Sequence, residues 1–306
     1  MTLPNSYGGA DPAFAPFTQF DAAGQVVGGI AQEMLLSSLS HSTFHSLQAS
    51  ASKTSGRYGL GFLANYTLSK SLDDTSSVLG PSVGGAGNVQ LALPQNPWNP
   101  AADKGPSTFD VTHILAFSAI QVLPFDHVGF LRLLGSHLTS GWQFLNITTL
   151  TSGSPFTVYS GIQQSGFGTS GADRPDQVGI PVLSTGRTVR EDYFGRGAHN
   201  ASFFNIPIGL PGGTGPNHGR LGTLGRDTFR GPAYKDFDVA LTKDTPFGRR
   251  GSGEAATLQF RAEFFNVFNL VNFGLPANVV RGTGFGVISK TAGTSRQLQF
   301  SLKLIF

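Results

Sequence analysis

The sequence predicts an all-β fold: an antiparallel, up-and-down transmembrane β-barrel wall of about seven or eight strands, forming a partial barrel with long external loops. Three observations predict it: strands that alternate apolar and polar residues, connections that are alternately short and long, and a scarcity of charge. Charged residues make up 13% of the chain, against roughly 25% in typical globular proteins. The wall is expected over residues 41–306. Residues 1–40 are expected to be an irregular segment that fits an external loop of an upstream barrel.

A membrane-spanning helix is excluded, because no stretch reaches the roughly 18 consecutive apolar residues that it needs. The longest apolar run, 114–123, is interrupted by Ser118 and Gln121. A chain with little charge and no such helix can satisfy its backbone polar groups in lipid as a closed β-barrel. Cysteine is absent, which excludes disulfides and thiolate metal sites. Met1 is not followed by a signal-peptide pattern, so an export signal is expected upstream of this chain.

Alternation with a period of two residues marks the strands. In one of them, Leu258, Phe260 and Phe264 share a face, and Arg261 and Glu263 lie on the other. Four segments show this pattern clearly and three show a mixed pattern. The seven predicted strands are 44–52, 58–69, 113–123, 141–159, 237–242, 258–264 and 298–306.

The charged residues test this assignment, because an Arg or Lys on the lipid face at the bilayer midplane costs about 2–4 kcal/mol. Lys70 and Lys243 break the alternation, but both lie at strand ends, where the cost is small. The other strand charges fall opposite the Phe and Leu residues, and we predict that they face the lumen. These lumen-facing polar residues are Asp238, Arg261, Glu263 and Lys303.

The connections give a second test, because barrels of this class alternate short turns on one side with long external loops on the other. The predicted connections are short at 53–57, 124–140 and 244–256, and longer at 71–112, 160–233 and 269–295. The longer ones are rich in Gly, Pro, Asn and Ser, which is typical of exposed loops without regular structure. The alternation therefore favours a meandering barrel wall.

The last strand ends on an aromatic residue and has apolar residues at every second position before it. This pattern resembles the C-terminal signal of bacterial outer-membrane proteins, which the barrel-insertion machinery recognises. The alternative is an ordinary amphipathic strand at the chain end. The residues that match the insertion signal are Leu298, Phe300, Leu302, Leu304 and Phe306.

Several motifs follow one another in the chain: Asn65–Asp74, Gly141–Gln143, Ser152–Phe156, Gly222–Arg226, Arg230–Pro232, Phe237–Lys243 and Phe260–Asn269. This ordered set resembles the C-terminal barrel segment of Oar-like TonB-dependent outer-membrane receptors, a kind common in Acidobacteria. The resemblance covers nearly everything after residue 40. It implies a location in the cell outer membrane and a role in transport, to which the chain contributes strands, external ligand-contacting loops and the insertion signal.

The chain also departs from that family. Such receptors close a barrel of about 22 strands around a plug, whereas this chain has no candidate plug, TonB-contacting box or carboxypeptidase-regulatory-like module. It therefore resembles a C-terminal fragment. The implied partners are outer-membrane lipid, the insertion machinery, the remaining barrel and plug, TonB through that plug, and an unidentified nutrient. Nucleic acid is not expected, because Lys and Arg form no run.

No catalytic, cofactor-binding or metal site is predicted, and the chain is not expected to be an enzyme. Gly80–Gly84 matches the G-x-S-x-G pattern. Pro81 and the nearby glycines, however, predict a loop and not the strand–helix junction of a nucleophile elbow. His41 and His45 are four residues apart, yet no third ligand accompanies them. Exposed polar residues are the favoured interpretation of the two histidines.

Charged residues in the longest loop have two open interpretations, contact with an external ligand and salt bridges between loops. The candidates are Asp173, Arg174, Asp176, Arg226 and Arg230. Aromatic residues near strand ends are expected to form girdles at the two membrane interfaces. They are Trp142, Phe156, Phe247, Phe265 and Phe268.

Two other functions remain open from the sequence. One is a small stand-alone outer-membrane pore or adhesin, which needs an even number of strands. The other is a soluble all-β carbohydrate-binding module. Seven strands leave two unpaired edges, which lipid does not tolerate. This chain alone is therefore expected to aggregate or to need a partner wall.

Overall fold

The computed structural model describes most of the chain. The described residues are 19–20, 22–23, 26–28, 38–56, 59–76, 93–96, 98–130, 135–162, 164–165, 172–181, 183, 190, 192–194, 202–208, 220–248 and 256–306. Most of the predicted irregular segment 1–40 lies outside them, apart from a hairpin that pairs Gln19–Phe20 with Val26–Gly28. None of the helices in these stretches is long and apolar enough to cross a membrane.

Seven long strands form one antiparallel sheet. They are β1 (Ser42–Lys53), β2 (Leu60–Asp73), β3 (His113–Leu123), β4 (Trp142–Thr151), β5 (Tyr234–Phe247), β6 (Ala256–Phe265) and β7 (Gln297–Ile305). Strands that follow one another in the chain are neighbours in the sheet, so β1 and β7 lie at its two edges. The predicted all-β meandering wall is therefore confirmed, and in the described residues the sheet is open.

The strand registers align apolar residues with apolar residues, and polar residues with polar residues, on neighbouring strands. Between β6 and β7, Phe260 lies opposite Leu302 and Ala262 opposite Phe300, so the apolar rows coincide. On the other face, Gln259 lies opposite Lys303. We call these the apolar face and the polar face of the wall. A register shift of one residue would exchange them, so the alternation fixes this pairing.

The apolar face is uncovered on the edge strand β7 and half-buried on β6, apart from the buried Ala262. On β7, Phe300 is 63% exposed and Leu302 is 67% exposed. Aromatic rings contact each other along this face, with the centroids of Phe260 and Phe300 6.5 Å apart. Contiguous exposed apolar surface of this kind marks an interaction site or a membrane-facing surface.

The strand predicted over 141–159 ends earlier, at Thr151. The chain leaves the sheet after it, and Pro155–Phe156 pairs with Phe229–Arg230 in a separate two-stranded ladder. The close approach of the two segments requires glycine at position 153, where a Cβ atom would lie 1.8 Å from the backbone oxygen of Gly231. The second half of the predicted strand is therefore part of a loop.

Among the described residues, the hydrophobic core lies in the long connections and not under the sheet. Its buried members are Phe156, Val158, Tyr193, Phe194, Phe204, Leu224, Phe229, Phe285 and Ile288. The expectation that these loops are exposed is therefore wrong for the core residues of their described part. Gly and Pro predicted their irregular backbone correctly, but the aromatic residues between them pack together.

Candidate functional site

Three long loops occupy one end of the wall. The first long loop (74–112) joins β2 to β3, the second (152–233) joins β4 to β5, and the third (266–296) joins β6 to β7. In a meander these three connections must lie at the same end, and the short connections at the other. The predicted alternation of short and long connections is thus present in the structure.

Stacked and edge-to-face rings join the second and third long loops. Phe194 stacks on Phe285 with the centroids 4.9 Å apart and the planes at 14°. It also meets Phe204 and Phe229 edge-on, at 5.4 Å and 5.5 Å. Each such pair contributes roughly 0.5–1.5 kcal/mol beyond the area that it buries. The rings therefore hold two loops in one layer.

Arg226 connects the second long loop to the first and to the end of β2. Its Nε donates to the backbone oxygen of Asp103 at 2.9 Å, and Nη1 donates to Ser76 Oγ at 3.0 Å and Asp227 Oδ2 at 3.1 Å. Its Nη2 donates to the backbone oxygen of Asp73 at 2.5 Å and to the carboxylate of the same residue. A guanidinium has five N–H donors. The Arg226 side chain is only 8% exposed, and each of its five donors has an acceptor within the protein.

A second buried arginine makes a similar connection. Arg174 Nη2 lies 2.6 Å from Asp103 Oδ1, and both side chains are buried. The other carboxylate oxygen of Asp103 accepts the backbone N–H of Gln95 at 2.9 Å. Arg174 Nε is buried and has no hydrogen-bond partner. Asp103 therefore receives hydrogen bonds from two loops.

A third arginine ties the second long loop to the sheet. Arg230 pairs with Asp110, whose other carboxylate oxygen accepts the backbone N–H of Ser71 on β2 at 2.6 Å. Arg230 Nη1 also donates to the backbone oxygen of Gly153 at 3.2 Å. The carboxylate is 1% exposed while the guanidinium is 34% exposed. This pair reaches the surface of the loop layer.

Asp227 combines a left-handed backbone with a fully buried carboxylate. Its backbone has φ 53, the left-handed region that Asp and Asn tolerate better than most residues. Thr157 Oγ1 accepts the Asp227 N–H and donates to Oδ1, both at 2.9 Å. Burial raises the pKa of Asp227 to about 6, although the Arg226 charge opposes this shift. The site therefore holds a carboxyl group that titrates close to neutral pH.

Two further aspartates lie on the strand-like segment 172–177. Burial raises the pKa of Asp173, although Ser165 donates to its carboxylate through the backbone N–H at 2.7 Å and the hydroxyl at 2.8 Å. Asp176 behaves in the opposite way, because its hydrogen bonds with Arg220 lower its pKa. The Arg220 side chain is 36% exposed, so the Asp176–Arg220 pair is accessible from outside.

The five charged loop residues that the sequence singled out all lie in this layer, and each has a described ion-pair or hydrogen-bond partner. Arg174, Arg226 and Arg230 form salt bridges with aspartates on other segments, as one of the two interpretations predicted. Asp176 pairs with Arg220. Contact of these residues with a ligand stays a prediction.

The sequence did not identify the acidic partners. Three aspartates form ion pairs with buried or half-buried arginines of the second long loop. They are Asp73, Asp103 and Asp110. The sequence separations are 153, 71 and 120 residues. No local pattern connects residues so far apart. Asp73 itself appeared only within the motif Asn65–Asp74 and inside the predicted connection 71–112.

The polar strand residues share one face, as predicted. Arg261 lies beside Glu263, with Nη2 2.7 Å from Oε1, and Lys303 lies opposite Gln259. Asp238 accepts the backbone N–H of Asn266 at 2.9 Å. Their orientation toward a lumen stays a prediction.

The insertion-signal residues are all exposed. Leu298, Phe300, Leu302 and Leu304 lie on the apolar face of β7, and Phe306 follows the strand. Their recognition by insertion machinery stays a prediction.

The other sequence-based expectations have mixed outcomes. Phe156 is fully buried in the loop core, so its assignment to an aromatic girdle is wrong. Phe247 and Phe268 are 47% and 66% exposed. His41 and His45 are exposed, and the described residues contain no group of three metal-binding side chains. The motif at 80–84 lies outside the described residues.

The arrangement suits a membrane wall whose long loops, in their described parts, pack together at one end. A family model described as an outer membrane beta barrel domain matches residues 6–299 of the chain. Among curated proteins and among solved structures, no match was found. An exposed apolar face, a polar face and alternating connections are the features that such a barrel requires. The chain therefore belongs to the outer membrane beta barrel domain family, and its location is the bacterial outer membrane.

Proposed function

We propose that the chain is the C-terminal wall of an Oar-like TonB-dependent outer-membrane receptor. The proposal assigns it no catalytic role and no cofactor. Its partners are outer-membrane lipid, the barrel-insertion machinery, and the remaining barrel and plug of the receptor. TonB acts on it indirectly, through the plug, when a bound nutrient is moved across the membrane.

The observation that carries the proposal is the combination of an open wall with an ordered loop layer. Seven strands with two free edges form a segment of a barrel in the described residues. A buried aromatic core and buried ion pairs hold the described parts of the long loops together at one end. A layer of fixed shape suits the recognition of a ligand, because it does not have to be ordered at the moment of binding. The motifs in which the chain resembles Oar-like receptors lie in the same strands and loops.

The parts of the chain have distinct roles under this proposal. The apolar face contacts lipid, and the polar face, with Arg261 and Glu263, borders the lumen. The loop layer is external, because long loops of such barrels face the outside. Within it, the Asp176–Arg220 pair is the best-placed ligand contact, since both of its side chains reach the surface, at 14% and 36% exposure. In the Arg230–Asp110 pair the carboxylate is 1% exposed, and Arg174 and Arg226 are buried in structural ion pairs.

Fractionation and the upstream reading frame test the proposal. We expect the intact gene product in the outer-membrane fraction, and an open reading frame upstream of Met1 that encodes further strands and a plug. A stop codon and a promoter directly upstream would contradict the receptor proposal. They would favour the second candidate, a small stand-alone pore or adhesin.

The stand-alone candidate makes a different structural demand. It requires an even strand count and a closed sheet, whereas the described residues form an open sheet of seven long strands. A soluble carbohydrate-binding module does not agree with the outer-membrane family.

A further inference from the structure

The acidic and basic residues of the seven described strands are divided between the two faces of the wall. Followed from strand to strand, the registers carry the apolar face of β7 across the sheet as far as β1. The acidic residues of these strands all lie on the polar face, and they are Asp73, Asp236, Asp238, Asp244 and Glu263. The apolar face has only basic residues, and they are His45, Lys53, Lys70, His113, Lys235 and Lys243.

These basic residues lie at the two ends of the apolar face. Lys243 is at the short-turn end, where its ammonium group bonds within the protein. Its Nζ donates to the backbone oxygen of Ser140 at 2.7 Å and to Thr245 Oγ1 at 3.1 Å. The charge at this end is therefore stabilised by the protein itself.

The long-loop end of the apolar face has a different character. His45, Lys70 and Lys235 are exposed there. In the described part of the chain their side chains form no hydrogen bond or ion pair with the protein. Because the acidic residues of the strands lie on the other face, the charge at this end needs an anion from outside the chain.

Three of these residues are close neighbours, and we call His45, Lys70 and His113 the basic cluster. Lys70 on β2 lies directly opposite His45 on β1, an arrangement that brings Cβ atoms to about 4.5–5.5 Å. His113 on β3 lies opposite Leu68, so it is a diagonal neighbour of Lys70 at roughly 7–8 Å. Tyr66 holds the His113 ring, because its hydroxyl lies 2.8 Å from Nδ1 and the two rings stack with centroids 6.2 Å apart.

The position of the basic cluster along the wall matches the boundary of a bilayer. Lys70 follows Leu60, at the short-turn end of β2, by ten residues. Ten residues span about 33 Å of strand, and a strand tilt of about 40° reduces this to about 25 Å along the membrane normal. That is about the height of the apolar band of an outer-membrane barrel. The basic cluster therefore lies at the level of the lipid headgroups when the band below it is in hydrocarbon.

We propose that the basic cluster binds the phosphate group of an anionic lipid in the leaflet on the long-loop side. A phosphate offers several strong acceptor oxygens, an ammonium group has three donors, and hydrogen bonds between such charged groups are the strong ones. A zwitterionic lipid fits less well, because its own cation would lie beside Lys70. The inference requires a membrane wall but does not depend on the wall being part of a receptor.

Photolabelling with a lipid tests the inference on the uninterrupted gene product, purified in a nonionic detergent. The probe is a phosphatidic acid with a diazirine next to its glycerol, and the labelled residues are located by mass spectrometry over a titration. The test variant is the double substitution Lys70→Gln and His45→Gln. The matched control is Lys303→Gln, which removes a charge from the polar face. Unlabelled phosphatidic acid, phosphatidylcholine and inorganic phosphate serve as competitors at equal concentrations.

We expect labelling of the long-loop ends of β1, β2 and β3 that only unlabelled phosphatidic acid displaces. The double variant should need an about tenfold or higher lipid concentration for half-saturation, since it loses hydrogen bonds between charged groups. Lys303→Gln should behave as the wild type, and labelling at the short-turn end should stay unchanged in all variants, which shows that they are folded.

Three results would overturn the inference. Equal displacement by phosphatidylcholine would mean ordinary lipid contact without recognition of charge. Displacement by inorganic phosphate would mean a site for a soluble anion. An equal loss of labelling in Lys303→Gln and in the double variant would mean that the basic cluster has no specific role.

Discussion

At the scale of single residues, the loop layer depends on charges that are buried far from their sequence neighbours. Arg226 has an acceptor for each of its five donors. The sequence showed that charged residues gather in the longest loop, and it correctly kept salt bridges as one interpretation. It gave no means of pairing Arg226 with Asp73, because the fold alone brings them together.

Replacement of Arg226 by methionine should destabilise the loop layer by about 3–5 kcal/mol, because removal of one partner leaves buried carboxylates without compensation. Asp73 and Asp227 would be the uncompensated groups. Hydrogen exchange of the first and second long loops measures the effect. Arg281→Met is the control, since Arg281 is exposed, and it should leave the exchange rates nearly unchanged. Equal protection in both variants would refute the structural role of Arg226.

The pKa of Asp227 predicts a pH dependence of stability. Its pKa in the folded protein is about 6, above the ordinary 3.8. Between these values the folded state binds more protons than the unfolded state. The contribution of this group to stability therefore falls as pH rises from about 4 to 6, and the total change is at most about 3 kcal/mol.

The variant Asp227→Asn isolates that contribution, because asparagine tolerates the same left-handed backbone. The thermal midpoint of the wild type should fall relative to that of the variant between pH 4 and pH 7. Parallel pH profiles for the two proteins would show that Asp227 does not titrate in this range.

At the scale of elements, the strands were the most predictable part of the molecule. All seven predicted strands are present, because alternation on a pleated sheet is a local signal. The strand predicted over 141–159 was too long because Phe156, Val158 and Tyr159 continue the composition of a strand, although the strand itself ends at Thr151. The packing of the loops was not predictable, since their aromatic residues follow no period.

Gly153→Ala should disturb the point where β4 leaves the sheet. The new Cβ would approach the backbone oxygen of Gly231 to 1.8 Å, and backbone cannot move aside as a side chain can. Overpacking of this kind costs about 1–3 kcal/mol or more. Limited proteolysis of the second long loop measures it, with Gly129→Ala as the control because its Cβ would meet nothing within 4 Å. Equal cleavage rates would argue against the close approach.

A charge on the apolar face of β7 should impair membrane assembly. Leu302→Lys places a cation near the middle of the strand on that face, at a cost of about 2–4 kcal/mol. Ser301→Lys, one residue away on the polar face, should cost much less. The amount of each variant in the outer-membrane fraction gives the comparison. If Ser301→Lys were the more harmful change, the assignment of the two faces would be reversed.

At the scale of the whole molecule, the structure is a membrane wall whose core lies in its loops. The sequence predicted the wall, the family resemblance and the outer-membrane location, and the family match confirms the barrel and the location. The sequence predicted that the wall needs a partner, because seven strands leave two open edges. It did not predict how the barrel is closed. The long loops and short turns lie at opposite ends, so a membrane that holds this wall must separate them.

Cysteine accessibility tests that separation most directly, and the chain has no cysteine of its own. One variant carries Ile180→Cys in the second long loop, where Ile180 is 84% exposed. The other carries Ser55→Cys in the short turn between β1 and β2, where Ser55 is also exposed. A maleimide too large to cross the outer membrane should label Ile180→Cys in intact cells, and Ser55→Cys only after the membrane is permeabilised. Labelling of both positions in intact cells, or of Ser55→Cys alone, would contradict an outer-membrane wall with external loops.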